Sequence, residues 1–251
     1  MDIQEVDLET NVIRSCLQGS RRLVVGFESG GDGSALNRPD RPAWAQALVG
    51  DAGWDGLFTI PKVLDWYQTR ELWAFFKTMQ KSGFFDAYDS VVTYGSSMGG
   101  FAALAFSGLT GAERVVAFQP RSTLRYTVPW PSMESAVLSY NRVGPHADAV
   151  DGLGAETEVL IFADPFYERD WTHAQRVPGA EIFRAPFAGH KVPELLNDLG
   201  IMGTVARRAV EGTLERRWYN NALRGRKDSG LYQQGVAAAL LSRGKPEGAV
   251  I

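Results

Sequence analysis

Ser97 stands in the run Gly95-Ser96-Ser97-Met98-Gly99-Gly100, a hydroxyl with a glycine two positions before it and another two after. Val91-Val92-Thr93-Tyr94 leads into that run, and Phe101-Ala102-Ala103-Leu104-Ala105-Phe106 leads out of it. A β-branched stretch reads as a buried strand and the small helix formers as a helix, so the motif spans a strand, a sharp turn and a helix. At such a turn the positions two before and two after the serine nearly touch facing backbone, and glycine best avoids the clash. The turn lifts the hydroxyl above the sheet. It also aims the N–H of Met98 and the helix N-terminus at the place where negative charge develops when a carbonyl is attacked. Ser96 lies one step off the glycine spacing and reads as structural.

A serine hydroxyl is a weak nucleophile and needs a general base. The chain offers three histidines. His146 lies in a Pro-rich stretch. His173 follows Asp170-Trp171-Thr172, which reads as a helix start, and its ring is expected near the surface. His190 follows a strand-like run, Glu181 to Ala185, through Pro186-Phe187-Ala188-Gly189. That places it in a loop at a strand's C-terminal end, where catalytic groups of open α/β sheets gather. By elimination His190 is the base.

The partner of the histidine must be an acid that holds its tautomer and stabilises its charged form. Asp164 closes the apolar run Val159 to Ala163, and Pro165 after it halts strand pairing. Asp164 is therefore expected as the acid, with Glu168 and Asp170 as fallbacks. A second oxyanion donor beside Met98 is expected from the loop after Leu23 to Phe27, which reads Glu28-Ser29-Gly30-Gly31-Asp32-Gly33. Ser29 and Gly30 are both candidates, and Glu28 is expected to point away. The loop lacks the Gly-Lys-Ser/Thr ending of a phosphate-binding loop.

These groups need a scaffold with many strand ends on one edge. Runs at Leu23–Phe27, Gly56–Ile60, Val91–Tyr94, Val115–Phe118 and Val159–Phe162 are short and almost continuously apolar, as in a sheet covered on both faces. Glu181 to Ala185 is more mixed and suits a place near an edge. Amphipathic helices are expected at Glu71–Lys81 and from Leu195 through Ala206. The alternation predicts an α/β fold: a doubly wound, mostly parallel sheet flanked by helices, filling residues 1–213. Residues 119–153, with Pro120, Pro129, Pro131 and Pro145, read as an excursion or small cap. Residues 214–251 read as a helical C-terminal extension, with helices around Arg217–Leu223 and Tyr232–Leu241.

A formal charge of −3 gives no broad basic field, which argues against nucleic acid or an anionic membrane as partner. The single cysteine, Cys16, excludes an intramolecular disulfide. The acidic start Met1-Asp2-Ile3-Gln4-Glu5 does not read as a signal peptide, and no run approaches the roughly 20 apolar residues of a membrane span. A cytoplasmic protein is the expectation, with no metal and no organic cofactor.

With these marks the chain resembles the α/β-hydrolase superfamily from roughly residue 21 to 212. The resemblance rests on Gly95-Ser96-Ser97-Met98-Gly99-Gly100, on Ala163-Asp164-Pro165-Phe166 and on Ala188-Gly189-His190. It implies Ser97 as nucleophile, Asp164 as acid, His190 as base and the Met98 N–H as an oxyanion donor. It implies a small-molecule ester or thioester as substrate. Where common members carry His-Gly after the early strand, this chain has Glu28-Ser29-Gly30-Gly31, and the Trp54 to Tyr67 stretch also departs from common lipases. The first bears on which residue gives the second oxyanion donor, and the second suggests a divergent bacterial esterase-like branch. The second C-terminal helix is similar to part of a tetratricopeptide helix pair. A lone repeat needs neighbours, so it is read first as an appendage packed on the core. The sharper alternative is a binding or assembly protein with little turnover, using those helices to dock a homodimer or protein partner. Trp44, Trp54, Trp66 and Trp130 line a pocket on one reading and are plain core on the other.

Overall fold

The computed structural model describes residues 2–30, 41–125 and 144–242. Gly31, Asp32, Gly33, Trp130 and most of the proline-rich excursion lie outside the described residues.

Eight strands form one sheet: β1 Asp2–Asp7, β2 Asn11–Leu17, β3 Arg22–Phe27, β4 Asp55–Pro61, β5 Ser90–Ser96, β6 Arg114–Phe118, β7 Glu158–Ala163 and β8 Glu181–Arg184. Their spatial order is β1-β2-β4-β3-β5-β6-β7-β8. The first two pairings are antiparallel and the remaining five parallel. The six expected strands are all present, and the expected mostly parallel, doubly wound sheet is what forms. The N-terminal β1–β2 hairpin was not anticipated. β1 is exposed along its whole length and holds to β2 by main-chain pairing, so it carries no apolar period to read.

Eight α-helices lie among the described residues: α1 Gln46–Asp51, α2 Arg70–Lys81, α3 Met98–Ala105, α4 Glu168–Arg176, α5 Val192–Asp198, α6 Met202–Glu211, α7 Arg216–Ala222 and α8 Gly230–Ser242. Alternate strand residues send side chains to opposite faces. Val25, Val91, Val115 and Ile161 pack with Leu72, Phe76, Phe101 and Ala174 from α2, α3 and α4. Val24, Val92, Val116 and Leu160 pack on the other face with Val49, Leu195, Val205 and Tyr219 from α1, α5, α6 and α7. The single helix expected from Leu195 through Ala206 is in fact two. Gly200 sits at φ +66° between α5 and α6, a left-handed conformation that ends the first helix and turns the chain.

Of the two C-terminal helices α7 packs on the sheet, while α8 packs on α5 and on the loop that follows β8. Tyr219 of α7 is fully buried, its ring edge-on to Phe162 and Phe183 at 5.7 and 5.2 Å. A 3-10 turn, Leu223–Asp228, joins α7 to α8. Among the described residues no helix is long and apolar enough to cross a membrane.

Candidate active site

The turn between β5 and α3 is as tight as the glycine spacing requires. A Cβ at Gly95 would fall 2.2 Å from the Gly99 carbonyl oxygen, and one at Gly99 would fall 2.1 Å from that of Phe27. Neither position has room for any side chain. Ser97 is held at φ +53°, ψ −113°, a conformation costing of order 1–3 kcal/mol for a non-glycine residue. Its N–H donates to the Phe118 carbonyl at 2.9 Å, which ties the strained residue to β6.

Ser97 Oγ lies 2.9 Å from His190 Nε2. On the other side of the ring, His190 Nδ1 lies 2.7 Å from Asp170 Oδ2. Three polar side chains from three separate strand-end segments thus form one chain: Ser97 after β5, Asp170 in the first turn of α4 after β7, and His190 after β8. Asp170 is fully buried. Burial pushes its carboxyl above the usual range, while the hydrogen bond and charge of His190 and the charge of Arg121 act against that.

The acid expected at Asp164 is corrected by this geometry. Asp164 does not face His190. Its Oδ1 accepts from the Phe166 N–H and its Oδ2 from the Gly189 N–H, each at 2.8 Å. At a strand end followed by Pro165, a short carboxylate folds back onto the backbone two residues on, as Asx turns do. The extra turn of chain into α4 gives Asp170, named above as a fallback, the reach that Asp164 lacks. Glu168, the other fallback, is exposed on the same helix.

His173 is also corrected. It is fully buried on α4, not near the surface, and its Nδ1 accepts from the Ser122 N–H at 3.1 Å. Asp170 and His173, three residues apart, share the buried face of α4, the first reaching His190 and the second Ser122. His146 stacks flat on Trp73 with ring centroids 3.5 Å apart, away from the serine.

The early loop lies against the turn. A Cβ at Gly30 would be 3.7 Å from Met98 Sδ, so the Ser29–Gly30 backbone passes beside the residue that follows Ser97. The Glu28 carbonyl accepts from the Tyr67 hydroxyl at 2.7 Å, and its carboxylate is taken up by the Trp44 N–H and by Arg41. Trp66 and Tyr67 both sit at positive φ, 54° and 58°, to bring that hydroxyl under the loop. Met98 opens α3, where a backbone N–H has no partner within its own helix.

Sequence reasoning missed Gln119. It sits at φ +38° after β6, and its side-chain amide spans the histidine segment: Nε2 donates to the His190 carbonyl at 3.0 Å and Oε1 accepts from the Val192 N–H at 2.7 Å. Its only sequence signal is a polar residue directly after an apolar strand and before Pro120. Of the tryptophans, Trp44 lines a cavity of about 630 Å³ that also reaches Ser29 and Ser96, while Trp54 and Trp66 are buried in the core. Among the described residues no three His, Cys, Asp or Glu side chains gather as a metal site.

Strand order, parallel pairing and a serine on the sharp turn after the fifth strand define the α/β-hydrolase fold, and the chain has that fold. Solved structures share it. An esterase/lipase from an uncultured bacterium superposes with a TM-score of 0.53 at 10% identity, covering 88% of this chain and 85% of its own. A hyperthermophilic esterase from the archaeon Pyrobaculum calidifontis gives 0.54 at 12%, with 85% and 87% covered. Carboxyl esterase 2 of the fungus Tuber melanosporum gives 0.52 at 16%, with 88% and 87% covered. At such identities the likeness is one of fold. No family model and no curated protein matches the sequence.

Proposed function

We propose that this protein is a serine hydrolase that transfers the acyl group of a small-molecule ester or thioester to water. Ser97 is the nucleophile, His190 the base, and Asp170 the carboxylate that orients and stabilises it. The observation that carries this reading is the unbroken chain Ser97 Oγ–His190 Nε2 and His190 Nδ1–Asp170 Oδ2, at 2.9 and 2.7 Å. The solved structures of the same fold named as esterases lend the substrate class its support.

In the reaction His190 Nε2 takes the proton of Ser97 as Oγ bonds to the carbonyl carbon. The carbonyl oxygen becomes an oxyanion, facing the Met98 N–H and an N–H of Ser29 or Gly30. Asp170 accepts the Nδ1–H bond and offsets the imidazolium charge without taking the proton. His190 then hands its proton to the alcohol or thiol oxygen or sulfur as that bond breaks. Water, deprotonated by the same nitrogen, releases the acid and restores Ser97. A fluorophosphonate probe tests the reading: wild-type protein is labelled covalently and Ser97→Ala is not. Absence of wild-type labelling, or equal labelling of the variant, overturns it.

A further inference from the structure

The segment that carries His190 is enclosed by more than the sheet and its crossover helices. Helix α8 returns across it. A Cβ at Gly235 would lie 1.9 Å from the Phe187 carbonyl oxygen, so the helix backbone rests directly on the loop two residues before Gly189. The Tyr232 ring meets that of Phe187 edge-on at 5.6 Å, and Phe187 stacks on Phe166 at 4.4 Å. Between α8 and this loop lies a cavity of about 450 Å³, bordered by His190, Phe187 and Tyr167 on the core side and by Leu231 and Gln234 on the helix. His190 thus borders this space and also meets Ser97 Oγ through Nε2.

Proton transfer decides what such a space can take. The leaving oxygen must come within about 2.6–3.2 Å of the nitrogen that protonates it. The group bonded to that oxygen is thus directed to the histidine side of the serine, while the acyl group stays on Ser97 Oγ. We infer that the cavity receives the alcohol portion of the ester, and that α8, through Leu231 and Gln234, sets which alcohol is accepted. This rests on the serine-hydrolase reading and extends it. The walls suit an alcohol with an aromatic or cyclic body: Phe187, Tyr167 and Leu231 offer apolar surface, and the Gln234 amide offers one donor and one acceptor group at the rim. The volume lies near the lower end of the roughly 300–1,000 Å³ of small-molecule sites, which fits a compact ring better than a long chain.

The test uses the full chain and two ester series. One keeps the acid and changes the alcohol, benzyl against ethyl. The other keeps ethanol and changes the acid, butanoate against acetate. Leu231→Trp fills the cavity and is expected to lower the benzyl-to-ethyl ratio of kcat/KM at least about tenfold, the scale of apolar pocket discrimination. The butanoate-to-acetate ratio should not follow it. Leu231→Ala should shift the alcohol ratio the other way. Fluorophosphonate labelling of each variant separates the two levels of the argument. Labelled variants whose alcohol ratio stays put, or whose two ratios move together, sink the role of α8 alone. An unlabelled wild type sinks the hydrolase reading and this inference with it. If Leu231→Trp is not labelled, the decision passes to Leu231→Ala and Gln234→Leu.

Discussion

Asp170 Oδ2 lies 2.7 Å from His190 Nδ1, whereas Asp164, six residues nearer the end of β7, spends both carboxylate oxygens on backbone N–H groups of the same two loops. One aspartate is bonded to the imidazole and the other to the backbone of the loops around it. Asp170→Asn should therefore lower kcat by about 10⁴, the scale seen when a triad acid is made neutral and the tautomer is lost. Asp164→Asn should act mainly on stability, by about 1–3 kcal/mol, because a buried N–H loses its acceptor. Steady-state kinetics and thermal melts of the two variants decide it. A larger activity loss in the Asp164 variant would reverse the assignment.

Much of this was readable because the apolar runs and the catalytic segments obey different rules. Leu23–Phe27 and Val91–Tyr94 are buried on both faces and announce themselves as strands. Ser97 is marked by two glycines that no other residue can replace, and His190 by its place after β8. Asp170 is not marked, because the choice among Asp164, Glu168 and Asp170 depends on which face α4 turns to the histidine. β2 was hidden by Arg14, buried yet ion-paired with Glu5, and by Ser15 beside it, which together interrupt the apolar residues Val12, Ile13, Cys16 and Leu17. Gln119 and the seating of Gly235 on Phe187 are tertiary facts, set by residues 71 and 48 positions apart. No local pattern reports them.

Ser97 at φ +53° makes the turn between β5 and α3 a store of strain. Ser97→Ala and Ser97→Gly both remove the hydroxyl and its bond to His190, and neither loses a helix cap, since the hydroxyl makes no capping bond. Only glycine relieves the conformation. Strain relief of about 1–3 kcal/mol exceeds the about 0.4–1 kcal/mol that glycine adds to unfolded-chain entropy. Ser97→Gly is expected to melt a few degrees above Ser97→Ala, with both inactive. Equal melting temperatures would show that the turn is not strained.

His173 couples the fold to pH. It is fully buried, its Nδ1 accepts a backbone N–H, and burial first, then the charges of Arg121 and Arg176, push it down from 6.5 to about 3, with Asp148 acting the other way. Its folded value lies below its unfolded one, so the unfolded chain binds the extra proton. The stability it contributes is complete above about pH 6.5 and is lost as pH falls toward 3. Asp164 and Asp170, both raised by burial, contribute in the opposite sense. Urea midpoints of wild type minus His173→Gln should isolate the histidine, the difference shrinking from pH 7 to pH 4. A difference independent of pH would mean the ring is not held neutral.

Gly235 offers the sharpest test of whether α8 belongs to the site. In an open helix Gly→Ala gains about 1 kcal/mol of helix propensity. Gly203 in α6 is such a place, with nothing within 4 Å of an added Cβ, and Gly203→Ala should raise the melting temperature. At Gly235 the same methyl would meet the Phe187 carbonyl oxygen at 1.9 Å, backbone against side chain, and either α8 or the loop must move. That loop is pinned by Asp164 through the Gly189 N–H and by Gln119 through the His190 carbonyl, so the helix is the part that yields. Gly235→Ala is expected to forgo the propensity gain and to reduce kcat/KM for benzyl esters several-fold, while Ser97 still takes the fluorophosphonate. A melting temperature raised as much as in Gly203→Ala, with unchanged benzyl ester kinetics, would mean that α8 does not rest on the loop of His190.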